Sequence, residues 1–83
     1  MPITPDAEKQ LLALVDEAYY AEEREQKRVE SDEKRLGSML NVNFGPLSEA
    51  ISHCMKMKAA YLRATGNAYT PPWLREKFKE LGF

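Results

Sequence analysis

The apolar residues of the first half of the chain recur at helical spacing and in a single phase. With successive residues placed 100° apart, one side of the cylinder collects Ala7, Leu11, Leu14, Val15, Ala18, Val29, Leu36 and Leu40. Thr4 suits an N-cap, and Pro5 suits the first helical position. The pattern therefore predicts one helix over residues 5–40. Two alternatives remain: a short break within the densely charged residues 21–35, and an earlier end of the helix at Gly37.

Two shorter helices are expected to follow. The segment 41–46 contains Asn, Gly and Pro, which interrupt helices, and its last residue, Pro46, suits the start of the next one. Helical spacing then continues as far as Gly66, a residue type that commonly ends helices. Thr70 is the expected cap of the last helix. The predicted bounds are residues 46–65 for the second helix and residues 71–81 for the third.

The composition also favours an all-α fold. The chain has nine Leu, nine Ala, 12 Lys and Arg and 13 Asp and Glu, against three Val, two Ile and three Thr. Leu, Ala and long charged side chains favour helices, whereas β-branched residues favour strands. A chain of 83 residues has room for one small domain, which we expect to span residues 1–83. The predicted fold is a helical hairpin plus a short C-terminal helix, with the long first helix antiparallel to the two shorter ones.

The apolar stripes of such a fold need a cover, because a structure two helices thick leaves much of each stripe exposed. Residues 11–20 are apolar on more than one face. We expect a second copy of the chain to complete a four-helix bundle, although a foreign protein would cover the same faces. The expected dimer or core seam consists of Leu11, Leu14, Val15, Ala18, Leu36, Ile51, Met57 and Tyr61.

One ion pair is expected to set the register of the hairpin. Lys58 interrupts the apolar face of the second helix at the level at which Glu22 and Glu25 interrupt that of the first. A desolvated ammonium without a partner is costly, so we expect Lys58 to face Glu25 or Glu22. Such a pair would specify the register more than it would add stability.

Few chemistries fit this set of residues. One cysteine, Cys54, and one histidine, His53, exclude an internal disulfide framework and leave too few ligands for an ordinary zinc site. We therefore expect no cofactor, no metal and no enzymatic activity. Neither a signal peptide nor a membrane-spanning stretch is recognisable, which leads us to expect a cytoplasmic protein that does not enter a membrane.

The expected function is the binding of a protein partner. Aromatic and Arg side chains dominate the energetics of many interfaces. Tyr20, Trp73 and Arg75 are expected to lie together as the partner-binding residues, because the third helix should fold back along the first. Arg75 is expected on the exposed side of the third helix. A short chain of charged helices without catalytic motifs resembles, in general character, small accessory proteins of bacteria and their phages. This resemblance implies an adaptor or an inhibitor of one host protein.

Nucleic acid is the alternative partner. Residues 1–46 carry 6 Lys and Arg against 10 Asp and Glu, whereas residues 47–83 carry 6 against 3. The basic second half therefore suggests a small nucleic-acid-associated regulator. Pro71 and Pro72 stiffen the entry to the helix that would read the groove, which makes this the weaker alternative. Mimicry of nucleic acid by the acidic first half is weaker still.

Overall fold

The computed structural model describes residues 3–37 and 42–82, and these ranges contain helices and no strand. Helix α1 is Pro5–Leu36, α2 is Gly45–Thr65 and α3 is Pro72–Glu80. Helices α1 and α2 pack against each other as a hairpin. The molecule is elongated and flat, with extents of 49 × 30 × 16 Å. The predicted all-α hairpin is confirmed.

Helix α1 begins as predicted but ends earlier. The Thr4 hydroxyl accepts a hydrogen bond from the Ala7 amide at 3.2 Å. At the other end Gly37 adopts a left-handed conformation with φ 69°, and its amide donates to the Glu33 carbonyl at 2.8 Å. The predicted extension to residue 40 is therefore wrong, because the glycine termination signal prevails over the continuing apolar period. Leu40 itself lies outside the described residues.

The charged middle of α1 contains no break, and ion pairs along the helix support it. Arg28 contacts Glu25 at 2.7 Å and Asp32 at 2.9 Å, at spacings of three and four residues. The same guanidinium donates to the carbonyl of Asn43 at 2.8 Å. The carboxylates of Glu25 and Asp32 raise the pKa of Arg28, chiefly through the hydrogen bond to Glu25. Arg28 therefore stabilises the helix and also holds the chain that enters α2.

The other helix bounds differ from the predicted ones by a single residue. Helix α2 begins at Gly45 and ends at Thr65, where Gly66 caps it with φ 74°. Helix α3 is one residue shorter at each end than predicted. Its N-cap is Pro71, which makes no side-chain cap hydrogen bond, so the predicted cap at Thr70 is wrong. Proline has no backbone N–H, so Pro71 and Pro72 donate no amide hydrogen bond that the Thr70 hydroxyl could accept.

The buried core is small. Within the described ranges its apolar members are Val15, Ala18, Val29, Val42 and Cys54. Of the predicted seam residues, Val15 and Ala18 are buried, whereas Leu14 is 52% exposed and Leu36 is 42% exposed. The half-buried ones are Leu11, Ile51, Met57 and Tyr61. The hairpin alone therefore covers one strip of the predicted seam and leaves its margins accessible.

Candidate protein-binding surface

One carboxylate of α1 holds both α3 and the chain that precedes it. Asp16 accepts a hydrogen bond from the Tyr69 hydroxyl at 2.6 Å and another from the Arg75 guanidinium, also at 2.6 Å. Asp16 follows the buried Val15 in sequence, so its side chain points about 100° away, onto one flank of the hairpin. Burial raises the pKa of Tyr69, and the hydrogen bond to Asp16 raises it further. The chain before α3 and α3 itself thus meet at one point on α1.

Arg75 is engaged in this anchor instead of lying on the exposed side of α3. Its side chain is 30% exposed and is paired with Asp16. The Nη1 atom of Arg75 is buried without a hydrogen-bond partner. The expected exposed position of Arg75 is wrong, because the flank of α1 offers an acidic partner that sequence spacing along α3 does not reveal. The structure gives Arg75 a positioning role for α3.

Tyr20 and Trp73 are connected through Tyr19. The Trp73 indole Nε1 donates to the Tyr19 hydroxyl at 3.0 Å. The rings of Tyr19 and Tyr20 meet edge to face, with centroids 5.6 Å apart. Trp73 is 59% exposed and Tyr20 is 44% exposed. We call these three side chains the aromatic ridge.

Sequence reasoning missed the linking role of Tyr19. Tyr19 comes three residues after Asp16, so both side chains lie on the flank of α1 that receives α3. The Tyr69 ring lies behind it, with centroids 6.4 Å apart, and also contacts Tyr61 at 6.1 Å. The three-residue spacing of Asp16 and Tyr19 indicates that they share a flank of α1. The contact between Tyr19 and Trp73 can be predicted only when the position of α3 is known.

The opposite flank of the hairpin carries an open groove. With a volume of about 600 Å³, it lies between α1 and α2 on the side away from α3. Its lining consists of Leu14, Glu17, Ala18, Tyr20, Ala21 and Arg24 from α1 and His53 and Met57 from α2. The groove is bounded at one side by Tyr20, which also belongs to the aromatic ridge. The two features therefore form a continuous surface around α1.

The predicted register ion pair is not formed as a direct contact. Glu25 is held by Arg28, and the Lys58 ammonium makes no ion pair within 4.0 Å in the part of the chain that the structure describes. Lys58 lies 6.0 Å from the centre of the Tyr69 ring. Glu22 and Lys58 nevertheless line one shallow depression, so the predicted level along the hairpin holds for these two residues.

Cys54 lies near Glu22 and Lys58 and is 1% exposed. Burial raises the pKa of its thiol, and the neighbouring Glu22 carboxylate raises it further, whereas Lys58 opposes the shift. Such a thiol is protonated and inert at neutral pH. No group of three or more His, Cys, Asp or Glu side chains within residues 3–37 and 42–82 is arranged to hold a metal ion. No helix in those ranges has the length and apolar character of a membrane span.

Comparison of the chain with protein-family models, with curated proteins and with solved structures finds no match. No relative therefore suggests a partner or a reaction. The aromatic ridge and the open groove are the features from which a function has to be argued.

Proposed function

We propose that this chain is a non-enzymatic protein-interaction module, an adaptor or an inhibitor that binds one protein partner through the aromatic ridge, beside the open groove. The observation that carries the proposal is the exposure of large apolar side chains on one continuous surface. Trp73 is 59% exposed, Leu14 is 52% exposed and Tyr20 is 44% exposed. Contiguous exposed apolar side chains mark interaction sites in monomeric proteins.

The total accessible surface supports the same conclusion. The chain exposes 6409 Å², whereas a compact monomer of its mass, 9.5 kDa, exposes about 5,000 Å². The surplus of about 1,400 Å² exceeds the roughly 800 Å² that each partner contributes to an interface of standard size. By covering this surplus, a binding partner would bring the exposed area close to that of a compact domain of the same mass.

The aromatic ridge is also ordered before a partner arrives. The indole of Trp73 is held by its hydrogen bond to Tyr19, and α3 is held by the contact of Arg75 with Asp16. Immobilising a flexible side chain at an interface costs about 0.5–1.5 kcal/mol, so a ridge that is already fixed binds more tightly for the same contact area. Trp and Tyr are the side chains that most often dominate an interface.

The charges on α3 favour a protein partner over nucleic acid. Arg75 is paired with Asp16, and the Lys77 ammonium lies 3.9 Å from a carboxylate oxygen of Glu80. Positive charge that is neutralised within the chain displaces fewer counterions from a phosphate backbone. The nucleic-acid alternative would rest on the remaining basic residues of the second half.

A cytoplasmic location and a role as a bacterial or phage accessory protein are part of this proposal. Cys54 is unpaired and buried, which suits a reducing compartment. The partner would then be a protein of the same compartment, bound without chemical change to either molecule.

Partner capture from a cell lysate with matched variants tests the proposal. Trp73→Ala removes the exposed indole, and Trp73→Phe retains most of its apolar area without the N–H. Met55→Ala truncates a similarly exposed residue of α2 that belongs neither to the aromatic ridge nor to the lining of the open groove. We expect Trp73→Ala to weaken capture by about 30-fold, equivalent to about 2 kcal/mol, and Met55→Ala to leave it unchanged. Capture should persist at moderate salt.

Two results would contradict the proposal. One is that Trp73→Ala and Met55→Ala capture the same protein as strongly as the original chain. The other is binding to generic duplex DNA with an affinity that falls steeply and linearly in the logarithm of salt concentration, which would support the nucleic-acid alternative.

A further inference from the structure

The open groove contains two side chains of opposite charge. Glu17 and Arg24 both line the groove, and neither takes part in an ion pair among the described residues. Some other charges of α1 are paired, as those of Glu23 with Lys27 and of Arg28 with Asp32 are. The groove therefore presents one free carboxylate and one free guanidinium beside exposed apolar side chains.

These charges lie on a stripe of α1 that suits packing against another helix. Leu14, Glu17, Ala21 and Arg24 follow one another at spacings of three, four and three residues. Such spacing defines the seam along which two helices pack. Ala21 is small, so a second helix can approach α1 closely at the centre of this stripe.

The stripe is complementary to itself. The midpoint between Glu17 and Arg24 falls between Tyr20 and Ala21. A twofold axis at that midpoint places an antiparallel second copy of α1 so that Glu17 of each copy meets Arg24 of the other. The same axis places Tyr20 of each copy against the small Ala21 of the other. Charge and side-chain size thus match at the same register.

We propose that the open groove is the interface of a homodimer in which two copies of α1 pack antiparallel, with two reciprocal ion pairs between Glu17 and Arg24. The occupant of the groove is a second copy of this chain, and Trp73 remains free for the foreign partner. This inference rests on the proposed function only in treating the groove as a protein-binding surface. The surplus accessible surface, about 1,400 Å², is enough for such a contact.

Charge exchange tests this arrangement. Glu17→Arg and Arg24→Glu alter exposed residues without ion pairs, so each variant should retain the helical content of the original chain. In a homodimer of either variant, both reciprocal contacts join like charges. When the two variants are mixed, the introduced arginine faces the introduced glutamate and the native Arg24 faces the native Glu17. Glu30→Arg is the matched control, because it makes the same charge change on α1 outside the groove.

Sedimentation equilibrium measures the outcome. The original chain and Glu30→Arg should form a dimer of twice 9.5 kDa at about 100 µM. Each groove variant alone should dimerise at least about tenfold more weakly, and the equimolar mixture should recover the original affinity. A chain that stays monomeric up to about 1 mM overturns the inference, as does a mixture that associates no better than its components. Capture through Trp73 would survive either failure, so the proposed function is judged separately.

Discussion

Removing the carboxylate of Asp16 should detach α3 from the hairpin. Asp16→Ala deletes two hydrogen-bond acceptors, one for Tyr69 and one for Arg75. A hydrogen bond to a charged group contributes about 1.5–3 kcal/mol when it is well protected. The side chains of Arg75 and Asp16 are 30% and 24% exposed, so solvent screening places the combined loss near the lower end, at about 2–3 kcal/mol.

This loss is large for so small a domain. A difference of about 2 kcal/mol shifts the melting temperature of a chain of this size by about 10 °C. Tyr69→Phe is the graded control, because it removes one of the two hydrogen bonds and keeps the ring contacts with Tyr19 and Tyr61. We expect it to cost about 1 kcal/mol.

The assay follows two signals during urea unfolding. Trp73 is the single tryptophan, so its fluorescence reports the position of α3, whereas far-UV circular dichroism reports mainly α1 and α2. For Asp16→Ala, the fluorescence transition should occur at lower urea than the dichroism transition. If both transitions stay within about 0.5 kcal/mol of those of the original chain, Asp16 is an ordinary surface residue and the anchor is refuted.

Three further predictions concern single residues. The pKa of Tyr69 is raised in the folded state, so its contribution to stability is complete below the ordinary pKa of about 10 and is lost as the pH rises above it. Urea titrations should therefore show a steeper loss of stability above about pH 10 for the original chain than for Tyr69→Phe; equal slopes would contradict this. The buried Cys54 thiol should react with a disulfide reagent at least about a hundredfold more slowly in the folded chain than in urea, and rapid reaction of the folded chain would show that it is accessible. Gly37→Ala should lower stability by about 1 kcal/mol, because Gly37 has φ 69°; an unchanged melting temperature would mean that this cap contributes nothing.

The helices were predictable because their signals are local. Thr4 and Pro5 specify the start of α1, and Gly66 specifies the end of α2, through backbone effects that involve only neighbouring residues. The end of α1 was missed because two local signals disagreed there, and the conformation at Gly37 decided between them. Antiparallel pairing followed from the shortness of the connection between α1 and α2.

The anchor of α3 was not predictable, because its two parts are 59 residues apart. Asp16 is one of 13 acidic residues, and nothing in its local sequence distinguishes it as the partner of Arg75. Lys58 illustrates the same limit. Its level along the hairpin followed from the period of the apolar residues, but Arg28 competes for Glu25 and the Tyr69 ring lies nearby. Which neighbour a charge selects depends on the whole packing arrangement.

The central claim about the open groove is that it is an interface between two copies of the chain. It is tested most directly by amide resonances of the isotope-labelled chain, recorded from about 10 µM to about 1 mM. We predict that the amides of Leu14, Ala21 and Arg24 shift with concentration, while that of Met55, which does not line the groove, stays in place. A spectrum that does not change over this range, or shifts concentrated around Met55, would contradict the claim.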